Sequence, residues 1–453
     1  MHNKLNKLTV AVTLVSALLA ASQASASGFQ VREQSAKVLG NAMAGAAAGA
    51  EDVSYMTYNP AAIGNAEGTQ LAGGISFIDA QFELTDASAS PAGVPAAVVS
   101  YDRGGSRQGG EEAWVPSFAF KTDLNERMDF GLSVSAPYGL STEYDKDWIG
   151  RYHAIETDLQ TIDIQPTFNY QATDRLDLAL GLRAQYADAT LSNAIDLGAV
   201  GAQANQLPPT AVGKYDGMAE VTGDDWGYGY TLGALFQATE QTRLGISYRS
   251  EVDLELEGDV RYRSDNPTGQ QVLAGAQAMG RLRDAGGTAE LTTPANMNLG
   301  IYHEVSDRVA LMANAEWTEW SSFDELVVES GGQELSTTEE NWNDTWAFSV
   351  GANYRLNRQW LLRAGLGVDE SPVPDAEHRT PRVPDADRRW ATLGATWMPT
   401  TDLSVTAGYM RVFGDDGDIN QSGAKPENAS RGDLSGTYEV DANVFALSVG
   451  YRF

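Results

Sequence analysis

Large apolar residues and small or polar residues take alternate places along most of this chain. In the last ten residues, Phe445, Leu447, Val449, Tyr451 and Phe453 fall on one side. Val444, Ala446, Ser448, Gly450 and Arg452 fall on the other. Successive strand side chains point to opposite faces, so the segment has one bulky apolar face and one mostly small or polar face. That contrast suits a strand set between hydrocarbon and a watery or plugged lumen. The same period of two runs through Ile162 to Tyr170, Leu176 to Tyr186, Leu244 to Tyr248 and Trp346 to Leu356. The second face carries many Gly, Ala and Ser beside charges, which fits a crowded lumen better than a sandwich core. The apolar faces often end in Tyr or Trp, as girdles at membrane interfaces do.

Such runs predict about fourteen strands, an even number as bacterial barrels require. They fall near 69–84, 114–121, 128–138, 159–171, 176–191, 226–238, 242–254, 288–305, 309–320, 345–356, 360–368, 389–397, 403–412 and 443–453. Short links alternate with long ones. Thr122–Arg127, Ala172–Arg175, Thr239–Gln241, Ser306–Arg308, Asn357–Gln359 and Met398–Asp402 are tight, and the links between them are long and rich in Gly, Asp, Asn, Pro and Glu. Short periplasmic turns and long external loops give a barrel this asymmetry, and a soluble sandwich has no reason for it. The fold class expected is all-β: a transmembrane antiparallel β-barrel with an N-terminal hatch inside the lumen. Both barrel ends then face the periplasm. Residues 27–68 start at that mouth and are too poor in bulk to make their own core. They are placed in the lumen as the hatch, with a short helix of small residues expected over Ser35 to Ala50. Residues 69–453 make the barrel.

The first residues read as an address. Lys4 and Lys7 form a basic start, Leu8 to Ala21 an apolar stretch too short to span a bilayer, and Ala24-Ser25-Ala26 a cleavage signal. Residues 1–26 are therefore expected to be a signal peptide, with the mature chain beginning at Ser27. No later segment approaches the ~20 apolar residues of a membrane helix, so only a barrel would put the exported chain in the outer membrane. The 453 residues contain no Cys, which excludes a disulfide framework and thiolate metal sites. A net charge of -30 argues against nucleic acid as a partner. On a barrel this charge sits mostly in water-exposed loops.

Candidate chemistry is sparse. Beyond the leader the histidines are His153, His303 and His378, and no two have metal-ligand or triad spacing. No catalytic residue, metal ligand or cofactor is expected. Gly414 to Asn420 resembles a calcium loop but lacks the ligand pattern and terminal Glu of an EF-hand, so a solvated loop is expected. Arg431-Gly432-Asp433 is a tripeptide that long loops contain by chance. Trp148 and Ile149, in the loop after the third strand, are expected to be exposed there, forming part of an entry groove or an interface anchor.

Several stretches are more specific. Ser27-Gly28-Phe29-Gln30, Asn59-Pro60-Ala61 and Ser135 to Tyr144 resemble the FadL family of outer-membrane long-chain fatty-acid transporters. So do Tyr248 to Val252, Asp369 to Pro374 and Arg382 to Arg388, all in family order. The resemblance implies a hatch-plugged barrel for passive uptake of a hydrophobic compound, most simply a long-chain fatty acid. It implies capture in a groove among external loops, a pocket near the hatch N-terminus, and sideways exit through a kink in the third strand. Such a route keeps an apolar chain out of water. Carried over, the ligand-contacting residues are Phe29, Ala136, Tyr138, Trp148, Ala189, Asn193 and Thr338. Asn59, Pro60 and Ala61 would be the hatch motif packed by the kink, and the kink would lie around Gly131 to Ala136. Plain plug packing for Phe29 and an ordinary turn for Asn59-Pro60 are the alternatives. Family members place basic residues where Asn193 and Thr338 stand here. Either other residues such as Arg183 or Arg388 meet a carboxylate, or the ligand head is neutral, since a carboxylate in an apolar pocket needs a partner. Partners are thus a fatty acid or other hydrophobic small molecule, membrane lipid and lipopolysaccharide, for a monomeric chain. The other functions considered are an aromatic or alkane hydrocarbon channel, a structural or adhesive surface barrel, and a general porin, which would have no use for a hatch.

Overall fold

The computed structural model describes residues 28–94 and 96–453, so the expected leader and its cleavage before Ser27 lie outside the described residues. The alternation becomes an inside-out sheet. On the last strand Phe445, Leu447, Val449 and Tyr451 are 43–51% exposed, while Val444, Ala446 and Ser448 are 2–7% exposed. The same holds around the molecule, with Leu178, Leu182, Ile246, Phe348, Val350 and Leu366 all facing outward. A soluble monomer carries no apolar surface of that extent. Paired rings mark its borders: Trp360 with Trp397 by the tight turns, and Tyr186 with Trp226 towards the long loops.

Twenty strands form one sheet among the described residues. They are β1 (Gln70–Ser90), β2 (Glu112–Asn125), β3 (Met128–Ser135), β4 (Gly139–Glu143), β5 (Glu156–Thr173), β6 (Leu176–Ile195), β7 (Gly217–Thr239), β8 (Thr242–Arg249), β9 (Val252–Arg263), β10 (Ala285–Thr293), β11 (Asn296–Ser306), β12 (Val309–Thr318), β13 (Glu325–Ser330), β14 (Gln333–Glu339), β15 (Thr345–Arg355), β16 (Trp360–Asp369), β17 (Arg388–Trp397), β18 (Leu403–Gly414), β19 (Gly417–Gln421) and β20 (Asp433–Arg452). Some staves of the barrel consist of two strands in line, namely β3–β4, β8–β9, β10–β11, β12–β13, β14–β15 and β18–β19. The result is a closed antiparallel barrel of 14 staves. Closure is made by β1 against β20, from Gln70 opposite Arg452 to Ser90 opposite Asp433.

Each expected strand is present. The staves run further at the long-loop end, where β7 begins at Gly217 and β20 at Asp433. There both faces meet water or loops, so alternation no longer marks a strand. The interruptions have local causes: Pro137 and Pro294, without an N–H to give the ladder, sit in two of them. The hairpin β13–β14, and the loop helices α2 (Leu197–Gln203) and α3 (Pro267–Ala278), add structure where only loops were expected. Of the expected acidic loop Gly414 to Asn420, Gly414 ends β18 and the part from Gly417 on is β19, paired with β20.

Residues 28–66 run inside the barrel and are almost wholly buried. The helix expected over Ser35 to Ala50 shrinks to α1 (Ala36–Leu39). Beyond it Ala42, Met43 and Ala50 take positive φ, bending the chain against the wall. Small residues on both sides allow the approach: a Cβ on Gly245 would lie 1.9 Å from the Ala47 carbonyl oxygen. Polar ties hold the segment all round. Arg32 pairs with Glu316 at 3.2 Å and Asp369 at 2.8 Å, Glu51 with Arg363, and Arg249 donates to the Thr57 carbonyl at 3.1 Å.

Candidate functional site

The third stave breaks between Ser135 and Gly139. Up to Val134, β3 pairs with both β2 and β5. Past the break, β4 pairs with β5, while Ala113 to Ser117 of β2 pair with β1 alone. A gap in the wall therefore opens between β2 and Ala136–Tyr138. The plug takes over the missing ladder. Val31 N–H donates to the Pro137 carbonyl and Gly139 N–H to the Phe29 carbonyl, each at 2.8 Å. The Gln34 amide brackets Ala136, donating to its carbonyl at 2.7 Å and accepting from its N–H at 3.3 Å.

Phe29 is thereby fixed by its own backbone. Its ring meets Trp320 edge-on at 4.7 Å and Phe323 at 5.3 Å, and it lies 6.0 Å from Tyr138. The Tyr138 hydroxyl donates to the Pro294 carbonyl at 2.6 Å, so its ring is held as well. Phe29 and Phe323 of this aromatic group floor an apolar cavity. The walls are chiefly Leu140, Leu159, Ala189, Leu191, Val221, Leu256, Ala289, Leu291 and Val383, with Arg382 and Glu340 among them. A largely hydrocarbon wall with few polar groups is the usual build of a small-molecule pocket.

Above it lies a wider groove among the long loops, lined by Tyr101, Asn193, Tyr262, Leu335, Thr338 and Arg431, among others. Leu191, Val221, Leu326 and Arg382 line both spaces, so the groove leads into the cavity past Arg382. Arg382 donates through Nη1 to the Glu156 carbonyl and to Thr157 Oγ1, both at 3.2 Å. Arg431 donates to Ser336 Oγ at 2.6 Å and Thr338 Oγ1 at 3.4 Å. No carboxylate among the described residues lies within ion-pair distance of either guanidinium. Burial, and then the nearby Arg431, push Arg382 below the usual arginine range, with Glu340 pulling the other way. Burial pushes the Glu340 carboxyl up to about 8, against the Trp342 indole N–H and the two arginines.

This barrel matches, over residues 17–453, the family described as outer membrane protein transport protein (OMPP1/FadL/TodX). The chain belongs to this family. Curated members resembling it include the long-chain fatty acid transport proteins of Salmonella typhi, 30% identical over 95% of this chain and 96% of theirs, and of Escherichia coli, 29% identical over the same shares. Among solved structures, a Pseudomonas aeruginosa FadL homologue superposes with a TM-score of 0.84 at 28% identity, covering 94% of this chain and all of that one. The Pseudomonas putida toluene transporter TodX shares the fold at 0.67 and 17% identity, over 94% of this chain and 100% of that one. The protein is an outer-membrane transporter of the OMPP1/FadL/TodX family, and its named relatives are transporters rather than enzymes.

Against this OMPP1/FadL/TodX frame the expected site residues separate. Phe29 and Ala189 line the inner cavity, and Asn193 and Thr338 line the loop groove. Tyr138 packs behind Phe29, and Ala136 sits in the strand break. Trp148 and Ile149 are not exposed: both are buried, with Trp148 stacked on Tyr144 at 4.0 Å and donating to the Ala154 carbonyl. Their loop folds back into the barrel mouth, which sequence alone does not reveal. Asn59, Pro60 and Ala61 meet Gly233 of β7. The ladder is regular through Gly131, whose missing side chain admits Met56 and Ile63 of the plug, so the break falls at the far end of the expected stretch, at Ala136, and runs on to Tyr138. Arg183 and Arg388 are committed elsewhere, Arg183 to Asp163 at 2.7 Å and Arg388 to Asp369 at 3.2 Å. Arg382 and Arg431 were missed. The first lies in a run that carries the family resemblance and the second in the chance tripeptide, but no sequence signal says which arginine turns inward.

Proposed function

We propose that the chain takes up long-chain fatty acids passively, holding the carboxylate at Arg382 and Arg431 and the acyl chain in the cavity floored by Phe29. The observation that carries this reading is a hydrocarbon-walled cavity entered past two guanidiniums, Arg382 buried and Arg431 half-buried, neither within ion-pair distance of a carboxylate among the described residues. A buried cation without a counter-charge is costly, and a ligand carboxylate relieves that cost with charge-assisted hydrogen bonds. The non-basic Asn193 and Thr338 are thus compensated from other loops, and Thr338 serves by orienting Arg431. In this reading the ligand gathers in the loop groove, descends past Arg382 and leaves through the gap beside Ala136–Tyr138 into lipid. The hatch, residues 27–68, blocks the straight path through the barrel. The chain acts as a monomer, without catalysis, with its outer face against lipid and lipopolysaccharide.

Cells lacking their own transporter, supplied with this chain, are expected to grow on oleate. The double variant R382Q/R431Q should reduce oleate uptake at low concentration by about tenfold or more, since losing a buried charge-assisted contact costs on the order of 1.5–3 kcal/mol. Unchanged oleate uptake in the double variant would remove the two arginines from head-group binding, and growth on toluene but not on oleate would mean that a neutral hydrocarbon is the cargo.

A further inference from the structure

Two acidic side chains line the cavity, Asp158 of β5, which accepts from Gln160 at 3.0 Å, and Glu340, whose position the fatty-acid reading leaves unused. Glu340 stands just after β14, 2% exposed, and lines the cavity beside Arg382. Its backbone N–H is tied to the Asp324 carbonyl at 2.9 Å, and its Oε2 accepts from the Trp342 indole at 3.1 Å. Trp342 is locked in turn against Phe323 and Trp320, 4.9 and 5.1 Å away. Among the described residues none hydrogen-bonds to Oε1. Neither Arg382 nor Arg431 comes within ion-pair distance of the carboxyl, although both act on it electrostatically. A carboxyl group has been built into an apolar wall, held by one oxygen, with the other left free.

We infer that Glu340, in its neutral form, is the second half of the head-group site, its free oxygen donating a hydrogen bond to a ligand carboxylate that the arginines hold from the other side. This rests on the fatty-acid reading above and adds a selectivity to it. A neutral carboxylic acid can donate to an anion, whereas an ionised one can only repel it. The groups facing Glu340 are Arg382 from the loop before β17, Arg431 from the loop before β20, the Trp342 N–H, and Glu427. The Glu427 charge favours the neutral form and the other three oppose it; burial outweighs them. The sign follows. Below pH 8 the site accepts an anionic head, and above it Glu340 ionises and binding weakens as the pH rises.

The probe is dodecanesulfonate, whose head group does not titrate in this range, bound to the purified full-length barrel in detergent. The wild-type Kd should be flat from pH 6 to 7 and rise about tenfold between pH 7 and 9, as expected for a group titrating near 8. E340Q keeps a donor but cannot ionise, so its Kd should stay flat across that range. A wild-type Kd that is level to pH 9, or an equal rise in E340Q, overturns the role of Glu340. If R382Q/R431Q binds the probe as tightly as wild type at pH 7, the head-group reading itself fails and takes this inference with it. Weakened binding in R382Q/R431Q with an unchanged pH profile in E340Q leaves the first standing and removes only the second.

Discussion

At Gly233 the absence of a side chain separates two layers of the molecule. A Cβ there would lie 2.3 Å from Asn59 Oδ1 and 2.8 Å from Pro60 Cγ. Asn59 cannot retreat. Its amide donates to the Ala47 carbonyl at 2.7 Å and the Ala234 carbonyl at 3.2 Å, and its Oδ1 accepts from Ala61 N–H at 3.0 Å. Gly233→Ala must therefore push the turn off the wall. Overpacking of this kind costs about 1–3 kcal/mol. The expected result is a lower thermal midpoint and faster exchange of the Ala61 amide, measured together on the detergent-solubilised barrel. A variant with wild-type values for both would show that the turn is not held by this contact. The Asn-Pro turn was legible in the sequence, because Asn caps the following turn and Pro has its angle pre-set. Its partner was not, since a strand glycine announces a close approach without saying to what.

Among the elements, the strands were the most legible part of the chain and their interruptions the least. Alternation over Leu176 to Tyr186 records a physical boundary between lipid and lumen, so period and depth could be read together. Nothing comparable marks the break in the third stave. Its signal is Pro137, but proline also occurs within β2 at Pro116 and within β5 at Pro166 without ending either strand. Those strands can spare a donor. At the third stave, the ladder is lost because the plug supplies a competing set of bonds from Phe29, Val31 and Gln34, far away in sequence. Gln34→Ala isolates that competition. It leaves the Ala136 N–H without its acceptor, while Ser133 keeps its ladder partners Ala119 and Gln165. With about 1 kcal/mol lost per net hydrogen bond, exchange at Ala136 should speed up roughly fivefold and that at Ser133 stay unchanged. Equal acceleration at both would indicate general loosening of the stave.

For the whole molecule, plug and barrel are held by different chemistry, and acid should tell them apart. The barrel closes through backbone hydrogen bonds from Gln70–Arg452 onward, and these groups do not titrate in water. The plug depends on charges. Burial raises the Glu51 carboxyl, but the Arg363 guanidinium, with Lys37 and Asn353, more than reverses this and leaves it at about 2. Asp52 is likewise lowered, burial being outweighed by Lys37. Glu33, raised by burial, works in the opposite sense. A carboxylate whose folded value lies below its unfolded one stabilises the fold above the unfolded value and loses that contribution as pH falls through the folded one. For Glu51 the window runs from about 4.5 down to about 2. Glu51 and Asp52 lose their contribution on acidification and Glu33 alone gains, so the plug should loosen in that window while the strands persist. In planar bilayers, conductance should rise reversibly below about pH 4, with strand content by infrared spectroscopy unchanged. Glu51→Gln removes the charge at every pH, so its conductance should already be raised at pH 7 and should respond less to acid. If conductance stayed at its neutral value down to pH 2, the ion pairs would not be what holds the plug. The small residues fitted against Gly245 and Gly351 would then have to be enough.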